Sequence, residues 1–239
     1  MKILALNSSP RKARGGTSIL LNTFLEGAKD AGAKIDLLYV YDLEIKPCQG
    51  CFLCWVKTPG VCVQKDDMED LLAKWQKADV LVLATPVFVD GMTSTMKAVL
   101  DRSIPLVQPF FEIRDDHCRH PPLHARKPIK VVLVSVSGFT ELDNFDPLLY
   151  HVKGFCKNLN GEFAGAILRP LGAQLEGFKR IGLPVEDIFD AIKQAGKELV
   201  QMGMISSKTQ KTISREIVPR EEYVKRLNAS FQQQIDANK

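Results

Sequence analysis

An α/β three-layer sandwich on a five-stranded parallel sheet is the fold this sequence predicts, and three observations predict it. Short apolar runs alternate with stretches of helical period along residues 1–205, and such alternation is built by right-handed crossovers between parallel strands. The chain has 239 residues, 45% apolar and 25% charged, enough to bury one sizeable core and unlike a disordered or fibrous composition. No run approaches the roughly 20 apolar residues that span a membrane, since the best stretch, 80–89, is interrupted by Pro86.

The elements follow in order. Ile3, Leu4, Ala5 and Leu6 open the chain as a buried strand. A polar loop with two glycines covers 7–17. Leu20, Leu21, Phe24, Leu25 and Ala28 then recur at helical spacing, with Gly32 where a helix C-cap belongs. Residues 35–40 form a second strand. The segment 41–65 has neither period and carries four cysteines. Asp66 offers an N-cap with Glu69 three residues on, the capping-box spacing, to a helix striped by Met68, Leu71, Leu72 and Trp75. Residues 80–84 give a third strand, followed by a short helix over 95–101. The proline-rich stretch 105–128 reads as irregular. A strand over 129–136, a helix over 145–159, a weaker strand over 163–168 and an amphipathic helix over 184–202 complete the pattern. Residues 206–239 are polar and helix-prone, with a break at Val218 and Pro219.

The expected organisation is one domain over 1–205, with a cysteine loop at 47–65 and an insertion at 105–128, then a helical extension over 206–239. The common strand order at this size is the flavodoxin-like 2-1-3-4-5. It puts a ligand outside the carboxyl ends of the strands, at the switch point between strands 1 and 3. The loops 7–18, 85–92 and 135–140 are therefore the candidates.

Lys and Arg number 32 against 28 Asp and Glu, a net charge of +4 spread along the chain. A nucleic-acid footprint needs a clustered basic face, so no nucleic-acid partner is expected. No signal-peptide pattern follows Lys2, and a cytoplasmic, reducing location is expected. There, clustered cysteines are metal ligands or redox groups more often than disulfides.

The first loop has the chemistry of a phosphate site. Ser8, Ser9, Arg11, Lys12, Arg14, Thr17 and Ser18 surround Gly15 and Gly16 just before a helix. A helix N-terminus presents free N–H groups and partial positive charge, and hydroxyls and a guanidinium add charge-assisted bonds. Neither the dinucleotide glycine pattern nor the Walker A lysine motif is present. An ordinary capped turn is the plainer alternative.

Asn-Ser-Ser-Pro-Arg at 7–11 and Gly-Gly-Thr-Ser at 15–18 resemble the phosphate loop of flavodoxin-like NAD(P)H-dependent FMN reductases, with Ser8 and Gly16 departing from the family pattern. Thr85-Pro86-Val87-Phe88 resembles that family's loop beside the flavin ring, and Met96-Lys97 with Asp101-Arg102 resembles its next helix. The resemblance spans about residues 1–170. It implies that Ser9, Arg11, Gly16, Thr17 and Ser18 hold the FMN phosphate. It further implies that Thr85, Pro86, Val87, Phe88, Val89, Asp90 and Gly91 line the ring and ribityl chain, and that Ser137, Gly138 and Phe139 close the other side. A flat, amphipathic flavin needs such apolar walls with backbone donors at its polar edge.

Cys48, Cys51, Cys54 and Cys62 carry the strongest signal, four thiols within fifteen residues. Short gaps let successive thiolates converge, and soft thiolates select zinc or iron–sulfur clusters. The three-in-a-row spacing fits a four-iron cluster, whereas structural zinc more often uses two separated pairs. Free or redox-active thiols are the third possibility. With the flavin loops, the pattern is similar to the iron–sulfur flavoprotein family. Asp66 and Asp67 are read as helix caps. His117, Cys118, His120 and His124, among Arg114, Arg119 and Arg126, are read as part of a lid over the flavin or a subunit contact rather than a metal site. Cys156 and His151 are read as packing or surface residues, and Trp75 as core.

The expected function is an FMN-dependent oxidoreductase that passes electrons from NAD(P)H, or another reduced donor, through FMN and a four-iron cluster to an unknown acceptor. Two alternatives stand beside it. One is a cluster-free NAD(P)H-dependent FMN or quinone reductase; the other is a flavin electron carrier with a structural zinc site. Hydride transfer to a flavin needs no protein acid or base, so no catalytic side chain is assigned. A nicotinamide cofactor, a small-molecule or protein redox partner and a homodimeric or homotetrameric state are expected, with no membrane partner.

Overall fold

The computed structural model describes residues 1–125 and 127–239. Arg126, one of the arginines noted in the insertion, lies outside the described residues. Strands β1 (Lys2–Asn7), β2 (Lys34–Tyr39), β3 (Val80–Pro86), β4 (Lys130–Ser137) and β5 (Glu162–Pro170) pair in parallel in the order β2-β1-β3-β4-β5. This is the expected flavodoxin-like sheet. The helices are α1 (Gly16–Asp30), α2 (Leu53–Val56), α3 (Met68–Gln76), α4 (Ser94–Asp101), α5 (Asp146–Asn158), α6 (Leu175–Arg180), α7 (Glu186–Met202), α8 (Ser207–Ser214) and α9 (Arg220–Ala237).

Alternate strand residues feed two cores. On one face Leu20, Leu21 and Phe24 of α1 and Ile188, Ile192 and Leu199 of α7 pack with Ile3, Ala5, Val82 and Val134. On the other, Met68, Leu71 and Trp75 of α3, Met96 and Val99 of α4, and Leu148 and Val152 of α5 cover Leu4, Leu6, Leu83 and Leu133. Both sheet faces are buried, which is why β1, β3 and β4 read as unbroken apolar runs. Each such side chain contributes about 1.5–3 kcal/mol.

Helices α1 and α7 cross in backbone contact. A Cβ on Gly27 would lie 1.9 Å from the Lys193 carbonyl oxygen, and one on Gly196 would lie 2.1 Å from that of Phe24. Lys193 pairs with Glu26 at 2.6 Å and Asp30 at 3.1 Å beside this crossing.

Residues past 205 divide in two. Helix α8 buries Ile213 completely, and the buried Glu198 accepts from Ser206 N at 2.9 Å and Thr209 Oγ1 at 2.7 Å. Arg169, 1% exposed, donates to the carbonyls of Pro170, Ile213 and Arg215. Burial, with the Arg215 charge nearby, brings its pKa down to about 10. Helix α9, by contrast, buries no residue.

Three local expectations change. The capping box does not form: α3 begins at Met68, Glu69 pairs with Lys65 at 3.1 Å, and Asp66 is drawn to Arg102. The insertion is not irregular throughout, because Glu112–Arg114 and His117–Arg119 form an antiparallel hairpin. It turns through Asp115 and Asp116, both left-handed at φ 53° and 57°. Strands of three residues carry too little alternation to be seen, and Asp-Asp is not the Asn-Gly turn signal. Helix α6, only six residues long, gave no periodic signal. Among the described residues no helix is long and apolar enough to cross a membrane.

Candidate functional site

The loop after β1 is folded by its own polar groups. Ser8 N donates to the Ala84 carbonyl at 2.8 Å, Ser9 N to Asn7 Oδ1 at 2.9 Å, and Asn7 Nδ2 to Ser18 Oγ at 2.7 Å. Ser18 Oγ also donates to the Lys12 carbonyl. The Ser18 hydroxyl therefore serves the loop. Thr17 Oγ1 is buried and makes no hydrogen bond among the described residues. Helix α1 begins on Gly15 with no side-chain cap and no acid in its first turn. An uncapped N-terminus beside an orphaned buried hydroxyl is a fitting cradle for a phosphate. Gly16 has another reason to lack a side chain: a Cβ there would lie 2.7 Å from the Gly172 carbonyl oxygen. Lys12 pairs with Asp42. Arg11 opens, with Arg14 and Arg180, onto a cavity of about 560 Å³ walled by residues 173–181, which sequence reading did not anticipate.

The second and third loops meet at the same edge. Residues 87–90, Ser137, Gly138, Phe139 and Asn144 line a cavity of about 460 Å³. Asn144 is the member the sequence did not reveal; its Nδ2 donates to the Glu141 carbonyl at 2.9 Å. Phe88 and Gly91 exchange backbone bonds of 2.9 and 3.1 Å, closing a turn whose tip, Val89 and Asp90, is left-handed at φ 46° and 63°. A β-branched residue there is uncommon, and such strain costs about 1–3 kcal/mol. Val89 is nonetheless 99% exposed and Phe88 48%. Thr85 turns inward, its Oγ1 accepting from Thr93 N at 3.1 Å. A further cavity of about 370 Å³, walled by Trp75, Leu106, Leu123 and Ile129, lies at the amino-terminal edge of the sheet, away from the candidate residues.

The cysteine loop leaves the carboxyl edge but is anchored along α4 to that helix's far end. Trp55 Nε1 donates to the Ile104 carbonyl at 3.2 Å, and Arg102 binds Asp66 and the Lys46 carbonyl. An eight-residue helix is about 12 Å long, so roughly that length separates this anchorage from the flavin loop. Residues 55–59, which lengthen the last gap, complete a helical turn: Gly60 N returns to the Cys54 carbonyl at 3.0 Å and Val61 N to the Thr58 carbonyl at 2.8 Å. That turn brings Cys62 back beside Cys54. All four cysteines are free; Cys48 and Cys51 are exposed, Cys62 half-buried and Cys54 buried. Burial raises the Cys54 pKa, and the neighbouring Cys62, Cys51 and Cys48 thiolates raise it further. The four thus form one electrostatic group. Among the described residues no three His, Cys, Asp or Glu side chains are gathered tightly enough to hold a single metal ion.

The insertion packs on this loop. His120 packs between Trp55 and Phe111 with its ring tilted against both and centroids 4.8 and 4.9 Å apart, and Trp55 stacks on Phe52 at 5.0 Å. Cys118 is exposed, whereas Cys156 is buried and its thiol is pushed up to about 12.

A phosphate cradle opening beside an apolar cavity at the strand 1–3 switch point is the layout of a flavin-binding α/β protein. Residues 1–144 match the family model for NADPH-dependent FMN reductases, and the chain belongs to that family. An iron–sulfur flavoprotein of Archaeoglobus fulgidus is 40% identical over 103 residues, covering 43% of this chain and 49% of that one. The chain spans about half the length of the curated relatives it matches. The FMN-dependent NADH-azoreductase of Bacillus anthracis in complex with FMN superposes with a TM-score of 0.63 at 16% identity, covering 84% of this chain and 99% of that one. The NAD(P)H:quinone oxidoreductase of Methanothermobacter marburgensis gives 0.58 at 16% identity, over 83% and 96%. At these identities the two structures establish the shared fold.

Proposed function

We propose that this chain is an FMN-dependent oxidoreductase in which NAD(P)H reduces FMN and a four-iron cluster on Cys48, Cys51, Cys54 and Cys62 relays electrons to a further acceptor. The observation that carries the reading is the linkage of two sites by α4. Its N-terminus follows the flavin loop, and its far end holds the neck of the cysteine loop. FMN, when bound, exchanges two electrons with a nicotinamide and one with a cluster. The chain's own residues bind and orient. Thr17, Arg11 and the first turn of α1 hold the phosphate, joined by Ser9 and by Ser18 through its backbone. Val87, Phe88, Val89, Asp90 and Gly91 wall one side of the ring, and Ser137, Gly138 and Phe139 the other. The Cys62, Cys51 and Cys48 thiolates disfavour charge on Cys54, and bound iron would relieve that repulsion. A cubane takes one thiolate at each of four iron corners, so its ligands need not meet at a single point.

Anaerobic purification with flavin, iron, sulfide and zinc analysis tests this. The expected result is one FMN and about four irons per chain, with the flavin bleached by NADPH or NADH. FMN with stoichiometric zinc, or with four titratable thiols, overturns the cluster and leaves the simple reductase. A protein that stays colourless after FMN is added overturns the flavin reading itself. We also propose a homodimer or homotetramer. Val224, Phe231 and Ile235 stay 46–54% exposed on α9, and light scattering at micromolar concentration that finds a monomer rejects it.

A further inference from the structure

The neck of the cysteine loop is built around one arginine. Arg102 follows α4 and is 1% exposed. Its Nη1 donates to Asp66 Oδ2 at 2.8 Å and to the Lys46 carbonyl at 2.7 Å, while Nη2 donates to Asp66 Oδ1 at 3.0 Å. Asp66 also accepts from Lys46 N at 3.0 Å and Met68 N at 3.2 Å. Lys46 and Asp66 are the two ends of the loop, so one guanidinium–carboxylate pair closes it.

One donor is left over. Arg102 Nε is buried and makes no hydrogen bond among the described residues. A buried N–H left without an acceptor is costly, and a group needed only to tie a loop has no reason to carry that penalty. Cys62 is a further acceptor close to the guanidinium. Burial works against the arginine's charge, yet Asp66 together with the Cys62 thiolate, acting as acceptor and as charge, hold its pKa above the ordinary value.

We propose that Arg102 is a positioning residue for the cluster: when the thiols are loaded, its free Nε–H donates to the Cys62 thiolate and fixes the ligand that the sequence spacing leaves most remote. This rests on the cluster reading above. Outer partners of this kind orient ligands and tune the centre, and their loss weakens metal retention by about 10–100-fold. A hydrogen bond donated to a ligating sulfur also favours the more negative, reduced state, so its loss makes the cluster harder to reduce.

The test uses the anaerobic holoprotein and two variants, Arg102→Lys and Asp66→Asn. Iron release to a chelator and the cluster midpoint potential are measured, with FMN content reporting that the fold persists. Arg102→Lys should keep FMN, release iron about tenfold faster and shift the potential downward. Asp66→Asn removes the carboxylate but leaves the guanidinium, and should keep iron release within about twofold of the parent, below that outer-partner effect. Equal acceleration by Asp66→Asn, or a lysine variant matching the parent in both readouts, overturns the proposal. Should the lysine variant not fold, Asp66→Asn decides: rapid iron loss there means that the arginine only ties the neck. Iron-free parent protein overturns the cluster reading and this inference together; iron-loaded parent with an unaltered lysine variant overturns this inference alone.

Discussion

The phosphate loop and the cysteine loop leave neighbouring strands of one sheet, yet they are made in opposite ways. The first is rooted in the core. Asn7, Ser8, Ser9, Thr17 and Ser18 are each no more than 4% exposed, and nearly every polar group there is satisfied within the loop. The second has a secured neck and a loose body, and between Lys46 and Asp66 only Cys54 is buried. It bends through left-handed Gly50, Phe52 and Gly60 without an apolar core of its own. One site is shaped before its ligand arrives. Under the cluster proposal, the other would gain its order from what the thiols bind, as metal-dependent loops do.

The largest expected effect follows from that difference. Cys51→Ser should take iron from about four per chain to a trace while leaving FMN in place, because the two sites use different loops. Parallel iron and flavin assays check it, and joint loss of both would mean that the loops are one unit. Next comes the neck. Asp66→Asn leaves Arg102 buried without its partner, which costs about 3–5 kcal/mol and is read from urea unfolding. Burial opposes the Asp66 charge, but Arg102 and the Lys46 and Met68 amides hold its carboxyl below the usual carboxylate range. A carboxyl with a lowered native pKa contributes its full stability above the unfolded value of about 3.9. It loses that contribution as pH falls through the native value. Parent and variant should therefore converge in stability only in strong acid.

A smaller effect belongs to the preformed loop. Arg11→Ala removes one charge-assisted donor, worth about 1.5–3 kcal/mol, so FMN affinity should drop roughly tenfold to a hundredfold with unchanged unfolding. Flavin fluorescence titration measures it, and loss of the fold would deny that this loop is self-supporting. The smallest is a null. Replacing Cys118 or Cys156 with Ser should leave iron content unaltered. Cys118 lies on the hairpin, and Cys156, its thiol pushed up to about 12, stays protonated and inert inside the core.

The sequence made the sheet legible because burial on both faces writes strands as plain apolar runs. It located both loops for a related reason, since glycines, hydroxyls and cysteines cannot serve such runs. It could not separate Thr17 from Ser18, adjacent hydroxyls that differ only in which way the first helical turn points them. Nor could it find the Asp66–Arg102 pair. Asp66 stands at cap spacing, and its true partner is 36 residues away, beyond the reach of any local pattern. Asn144 and α6 escaped for the same reason, since each matters through a neighbour brought by the fold.

The glycine crossing of α1 and α7 bears on how the chain is born. Gly27 and Gly196 touch across most of the polypeptide, and Glu26 meets Lys193 at a separation of 167 residues. At about 5–20 residues per second of synthesis, on the order of ten to thirty seconds pass between the emergence of α1 and that of its companion. For that interval α1 alone, without α7, covers its face of the nascent sheet. Contacts of such long range also slow refolding, which prolongs the exposure of apolar surface on which partly folded chains aggregate.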